Sequence, residues 1–278
     1  MMMDEKNLLE ECRAMCIRMR KNSLKMSFAA GRTGAHLGGG LSMIEIMAVL
    51  YYAVMKINPK DTYSEQRDRF ILSKGHGVLA LYAAMYERGF FSEDDLENFK
   101  ADNALLSGHP SMNQEKGIEF SSGSLGQGLS LGVGVCIALN RKNNFDSKVY
   151  VLLGDGECDE GSVWEAAASA SYYNLKNLVA IIDKNGLQYD GRTQEVLSMS
   201  DMGNKWRSFG WEVREVDGHD VSELYHAFQT ESDKPLAVIA NTVKGKGISF
   251  MEDDPKWHHA QLTQKLYDMA MKELEDMT

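Results

Sequence analysis

Residues 148–191, KVYVLLGDGECDEGSVWEAAASASYYNLKNLVAIIDKNGLQYDG, admit few architectures. Lys148–Leu153 and Leu178–Asp183 are uninterrupted apolar runs rich in β-branched residues, and the Ala-rich stretch Ser162–Tyr173 between them has helical composition. Runs without polar alternation suit strands buried on both faces, so the segment reads as a βαβ unit. The fold class it predicts is α/β, with a mostly parallel central sheet and helices on both faces. In such sheets ligands bind beyond the carboxyl ends of the strands. Gly154-Asp155-Gly156 and Asn185-Gly186 fall there.

A carboxylate and a carboxamide at adjacent strand ends can share one hard cation. Mg2+ takes oxygen ligands in near-octahedral geometry, commonly one or two carboxylates plus the phosphates of a ligand. Asp155 and Asn185 supply two such oxygens, Gly154 and Gly156 let backbone amides approach a diphosphate, and the helix opening near Gly161-Ser162 offers a positive end. Either turn alone is ordinary after a strand. The two joined by a strand-helix-strand of about thirty residues point to a metal-diphosphate site.

The rest of the chain bounds the function. With 278 residues, 44% hydrophobic and 25% charged, it has the material for one large α/β domain, expected to span 1–278. A net charge of −10 and a pI near 5.2 argue against electrostatic binding to nucleic acid or an anionic membrane. The opening residues lack the apolar region of a signal peptide, and no run is long enough to span a bilayer, so a cytoplasmic location is expected. Cys12, Cys16, Cys136 and Cys158 read as free thiols. Cys12 and Cys16 lie on one helix face with no matching second pair for zinc.

In chain order, 4–28 has helical periodicity. Gly34 to Gly40 is expected to hold no regular element, and Ser42 with Glu45 reads as a capping box opening a hydrophobic helix. His36 is thus placed on a Gly-rich loop, where backbone comes close to ligands. RDRFILSKGHG reads as a strand and a tight turn carrying His76, which a helix-capping role would also explain. Residues 92–100 read as a solvated acidic helix start, and LLSGHP puts His109 in an exposed loop. Gly126, Ser130, Gly134 and Ala138 fall every four residues, with Gly128 and Gly132 alongside, giving one helix a nearly bare face for a cofactor, a symmetry mate or tight packing within the domain. Trp211–Val216 and Leu236–Thr242 continue the sheet around a helix at about 222–230. A Gly- and charge-rich loop then reaches His258-His259, and a last helix runs from Thr263.

These pieces, RTGAHLGGGLS, DRFILSKGHG, SGHP, SSGSLGQGLS, GDGECDEG, IIDKNG and KGKGISFMEDDPKWHH, occur in the order found in transketolases, and the chain resembles the N-terminal, diphosphate-binding half of that family. The resemblance implies thiamine diphosphate held through Mg2+, or Ca2+ or Mn2+, by Asp155, Asn185 and the Leu187 carbonyl. It implies His36, His76, His109 and His258 around the thiazolium and sugar, with His259 a competitor for the His258 role. Gly123, Ser124 and Leu125 would lie against the cofactor, Gly154, Gly156 and Glu157 near its diphosphate, and Glu160 in a carboxylate network linking two active sites of a dimer. The chemistry is transfer of a two-carbon ketol unit from a ketose to an aldose. Imidazoles titrating near neutrality suit the proton movements such a cycle needs.

The family's pyrimidine-binding half, with its glutamate, aromatic residues and phosphate-binding arginines, has no counterpart in the sequence. The resemblance therefore implies one subunit of a split transketolase, working with a C-terminal-type partner in an α2β2 heterotetramer. His36-Leu37-Gly38-Gly39 and Gly123-Ser124-Leu125-Gly126 depart from the family's His-Pro-Gly-Gly and Gly-Pro-Leu-Gly, which leaves room for an unusual ketose phosphate or a sulfonated sugar. Rival readings are 1-deoxyxylulose-5-phosphate synthase, the α subunit of a 2-oxo acid dehydrogenase, and a silent interaction subunit. SGHP and WHH fit transketolase better, and retention of the four histidines argues against silence.

Overall fold

The computed structural model describes residues 4–198 and 201–277. In chain order its strands are β1 (Arg69–Leu72), β2 (Val149–Gly154), β3 (Leu178–Lys184), β4 (Leu187–Gln188), β5 (Gly191–Arg192), β6 (Glu212–Asp217) and β7 (Leu236–Asn241). Five of them form a parallel sheet in the order β1-β2-β3-β7-β6, and β4 with β5 makes a separate antiparallel ribbon. In register, Gly154 pairs with Asp183 and Asp183 with Ala240, so the chain leaves β2, β3 and β7 at one level. The residues that follow form the floor of a single cleft.

The apolar runs divide between two faces, as alternation of Cβ direction along a strand requires. Phe70, Leu72, Tyr150, Leu152, Val179, Ile181 and Val238 join one core with the helices Glu5–Ala29, Ile44–Val49 and Val78–Glu87. Ile71, Val149, Val151, Leu153, Ala180, Ile182 and Ile239 join the other with the helices Gly128–Arg141, Gly161–Tyr172 and Met202–Ser208. Burial on both faces removes the polar positions that a one-sided sheet would show.

Two expectations are corrected. Leu37–Leu41 is a short buried helix although three of its five residues are glycine. Ser42 and Glu45 form no capping box: Ser42 Oγ donates to Asp183 Oδ2 at 2.6 Å, and Glu45 accepts from Arg20 Nη2 at 2.6 Å. Both side chains reach partners far along the chain, which spacing alone does not show. A capping box does form at Ser92 and Asp95.

The Gly-rich helix Gly128–Arg141 uses its bare positions two ways. A Cβ at Gly132 would lie 2.5 Å from Val151 Cγ2, and one at Gly128 would lie 2.4 Å from Ser73 Oγ, so these glycines allow the helix to seat on the sheet. Ser130, Gly134 and Ala138 are exposed, with open space at Gly134. All four cysteines are buried free thiols, and burial pushes the Cys12 thiol up to about 11.

Candidate active site

The cleft beyond β1, β2, β3 and β7 holds a cavity of about 520 Å3. Asp155 follows β2 and is 5% exposed. Its Oδ2 accepts from the Gly186 amide at 2.8 Å and its Oδ1 from the Gly156 amide at 3.0 Å, which ties the turns after β2 and β3 together. Asn185 follows β3. Its Nδ2 donates to Asp183 Oδ2 at 3.1 Å and its Oδ1 accepts from the Leu187 amide at 3.1 Å. These partners assign the carboxamide orientation. The Leu187 carbonyl lies on the same cavity and accepts from Lys244 Nζ at 3.2 Å.

Burial, reinforced by the nearby Asp183 carboxylate, raises the Asp155 carboxyl to about 6. Desolvation disfavours the charged form, and a like charge adds to it. Asp183 goes the other way: it is fully buried, but an ion pair with Lys74 and hydrogen bonds from Ser42 and Thr242 hold its carboxyl below the usual range.

Glu157 and Gly154 also border the cavity, but their polar groups are bonded within the fold. The Glu157 carboxylate, 2% exposed, accepts from Ser73 Oγ, from the Gly126 amide at 2.9 Å and from the Gly154 amide at 3.0 Å. It therefore braces three loops, and the Gly154 N–H expected to face an anion is already committed. Gly156 remains at the cavity wall, packed so closely to the ribbon that a Cβ there would come within 2.4 Å of Gln188 Oε1. Gly123 and Leu125 line the cavity, whereas Ser124 is exposed beside it. Glu160 lies on the rim and is exposed in the single chain.

Four loops bring the histidines together. His36 is 5.7 Å from His76, 5.4 Å from His109 and 5.5 Å from His258 between ring centroids. All four line the cavity. His258 also meets the edge of Tyr189 at 5.3 Å, and its Nδ1 lies 3.1 Å from Lys244 Nζ. His259 sits on the other side of His36, with ring centroids 4.6 Å apart, and is absent from the cavity walls. The two consecutive histidines thus diverge, and His258 is the one in the cleft. Burial lowers His36 to about 3 and His258 to about 4, with neighbouring histidines acting further on His36 and the Lys244 and Lys74 ammoniums on His258, and His76 and His109 are lowered as well. In the free cleft all four are neutral at pH 7.

Sequence reasoning missed Lys74, Asp183, Thr242 and Lys244. A lysine in the turn after a buried strand, SKGHG, and another in KGKG were the available signals. Both lysines are almost fully buried, and burial lowers Lys244 to about 8.

A carboxylate, a carboxamide and a carbonyl at adjacent strand ends, opening on a cleft walled by neutral imidazoles, make an α/β domain with its ligand site beyond the carboxyl ends of a parallel sheet. The sequence matches the family described as "Transketolase, thiamine diphosphate binding domain" over residues 16–274, and the chain belongs to the transketolase family. It is 40% identical to a subunit of the apulose-4-phosphate transketolase of Phocaeicola vulgatus, over 92% of this chain and 91% of that protein. It is 41% identical to the 6-deoxy-6-sulfo-D-fructose transketolase subunit SqwG of a Clostridium species, over 88% of this chain and 90% of that protein. The transketolase of Campylobacter jejuni superposes with a TM-score of 0.87 at 30% identity, over 98% of this chain and 43% of that one. The chain therefore spans about two-fifths of the Campylobacter jejuni transketolase and nine-tenths of each of the two transketolase subunits. Among the described residues no helix is long and apolar enough to cross a membrane.

Proposed function

We infer that this chain is the diphosphate-binding half of a transketolase that transfers a two-carbon ketol unit from a ketose to an aldose, working with a second chain that carries the pyrimidine-binding half. The observation that carries this reading is the convergence of Asp155, Asn185 and the Leu187 carbonyl on one cavity with four neutral imidazoles.

The residues present fit a metal diphosphate. The donor set is all oxygen, as Mg2+ and Ca2+ require. Asp155 is held at about 6 by burial beside a second carboxylate, a deficit of positive charge that a divalent cation would relieve. The Leu187 carbonyl already takes a cationic donor, the Lys244 ammonium. Asp155, Asn185 and Leu187 would hold the metal, with Gly156 against the diphosphate and Gly123 and Leu125 against the ring. When bound, thiamine diphosphate supplies the carbon nucleophile and the electron sink.

The chain's own groups position the sugar and move protons. A neutral imidazole offers one donor and one acceptor, so His36, His76, His109 and His258 can hold sugar hydroxyls and exchange a proton with the carbonyl oxygen as charge develops there. Lys244 donates to His258 Nδ1, which leaves Nε2–H as the donor of that ring. Glu160, at the rim, would meet its counterpart across a dimer, giving the α2β2 assembly. The sugar is a ketose bearing an anionic group, in keeping with the names of the apulose-4-phosphate and sulfofructose relatives. The test is ketol transfer by this chain mixed with a pyrimidine-binding half: His76→Ala should abolish it, and unchanged transfer in that variant would refute the reading.

A further inference from the structure

The Lys244 ammonium reaches the Leu187 carbonyl and His258 Nδ1 from a turn that follows β7 and has left-handed glycines at Gly245 (φ +80°) and Gly247 (φ +93°). A turn of this kind has no strand ladder to fix its course, so individual contacts fix it. Two of them come from outside the cleft. The Val243 N–H donates to His219 Nε2 at 2.8 Å, and the Lys246 carbonyl accepts from Arg20 Nε at 3.1 Å. They flank Lys244 in the chain. Neither His219 nor Arg20 lines the cleft; both wall a separate hollow of about 260 Å3 that shares no residue with it.

Glu45 joins the two. Its Oε1 accepts from Arg20 Nη2 at 2.6 Å, and its Oε2 faces His219 Nδ1 at 3.0 Å. A backbone amide can only donate, so His219 Nε2 accepts from Val243 and the ring's proton is on Nδ1, directed at Glu45. Guanidinium, carboxylate, imidazole and amide thus form one line in which each polar atom has a single role. Burial alone would raise the Glu45 carboxyl, but the Arg20 charge and the His219 hydrogen bond outweigh it and hold the group below its usual range. The turn that carries His219 is seated against the end of β7. The Gly218 N–H donates to the Asn241 carbonyl at 2.8 Å, and a Cβ at Gly218 would lie 2.4 Å from Thr242 Cγ2.

We propose that His219, fixed by Glu45 and Arg20, is a positioning residue for the cleft: its hold on the Val243 amide sets where the Lys244 ammonium lies and, through it, which nitrogen of His258 carries the proton. Outer partners of this kind orient the groups that meet a ligand and fix their tautomers. Without the His219 acceptor the Val243 amide turns to find another partner, Lys244 turns with it, and His258 Nδ1 is released to take up the ring proton. The consequence for ketol transfer rests on the transketolase reading above; the consequence for His258 does not.

Two substitutions separate the two ends of the imidazole. His219→Asn keeps an N–H donor where Nδ1 stands, beside Glu45, and has no atom at the place of Nε2. His219→Gln reaches that place with an amide oxygen that can accept from Val243. Lys244→Met, which removes the ammonium, is the reference. Ring-nitrogen NMR of the whole chain near neutral pH should show His258 protonated at Nε2 in the wild type and in His219→Gln, and a mixture of tautomers in His219→Asn and Lys244→Met. His109, which packs on His36 and is not among the groups that Lys244 bears on, should keep its signals throughout. A His258 unchanged in His219→Asn would overturn the proposal. So would equal changes at His109, the mark of general loosening, or a larger change in His219→Gln than in His219→Asn, the order expected if the ring served only the Glu45–Arg20 pair. Failure of His219→Asn to fold would assign the ring to stability and overturn it too. In the enzyme reconstituted with its pyrimidine-binding half, His219→Asn should lower kcat by about tenfold with little change in KM, and His219→Gln should restore it. An unchanged kcat in His219→Asn would overturn the part His219 plays in the reaction. Absence of transfer in every protein, with the His258 pattern as expected, would sink the transketolase reading and leave the positioning role standing.

Discussion

Asn185 Nδ2 donates to Asp183 Oδ2 at 3.1 Å, so the residue proposed above to offer an oxygen to a metal is oriented by a carboxylate that the cavity never touches. Asp183 is 0% exposed and pairs with Lys74, 1% exposed, while accepting from Ser42 and Thr242. Asp183→Asn leaves the buried Lys74 ammonium without its ion-pair partner. Removing one partner of a buried pair costs about 3–5 kcal/mol, and urea denaturation should show a loss of that order. A change below about 1 kcal/mol, the scale of a surface pair, would contradict this account of the cleft floor.

Metal affinity should depend on pH through Asp155. A carboxyl held at about 6 by burial and by Asp183 must lose its proton before it can ligate. Titration calorimetry of Mg2+ in the presence of thiamine diphosphate should show affinity falling as pH drops from 7 through about 6. Affinity unchanged down to pH 5 would mean that Asp155 is not a ligand.

Acid should destabilise the free chain through its histidines. His36 and His258 titrate at about 3 and about 4 when folded, against 6.5 as their ordinary value, so the unfolded chain binds more protons in between. Their contribution to stability is complete above about 6.5 and is lost as pH falls toward 4. Asp155, raised when folded, acts with the opposite sign in part of that window. His258→Asn should therefore flatten the acid limb of the urea-midpoint profile, whereas Asp155→Asn should steepen it. Parallel profiles for all three proteins would show that these groups are not perturbed.

The two kinds of glycine on helix Gly128–Arg141 should answer alanine differently. Gly132→Ala places a methyl 2.5 Å from Val151 Cγ2, and overpacking of this kind costs about 1–3 kcal/mol. Gly134→Ala meets open space and should gain about 1 kcal/mol in helix propensity in the isolated chain. Thermal melts decide it. Two shifts of the same sign would contradict the seating of the helix on the sheet.

The parts of this architecture that were legible in the sequence are those with one dominant cause. Strands β2 and β3 fell within a residue or so of their expected ends because burial on both faces leaves an unbroken apolar run. The helix Leu37–Leu41 was not legible. Its glycines argue against a helix locally, and the reason for them is tertiary: a Cβ at Gly38 would lie 3.0 Å from the Trp257 carbonyl oxygen, and one at Gly39 would lie 3.0 Å from the His76 ring. Ser42 and Glu45 had the spacing of a cap but serve the partners Asp183 and Arg20, 141 and 25 residues away. Lys74 and Lys244 escaped notice because lysine in a Gly-rich loop ordinarily signals solvent. The ribbon that carries Leu187 has two residues in each strand, too few to show any period.

The most direct measurement of the central claim is ketol transfer, assayed together with Mg2+-dependent thiamine diphosphate binding, for this chain alone and for this chain mixed with a pyrimidine-binding half. The predicted result is weak cofactor binding and no turnover from the chain alone, with tight binding and turnover appearing together on mixing. Full transfer by the chain alone, or cofactor binding that Asp155→Ala leaves unchanged, would contradict it.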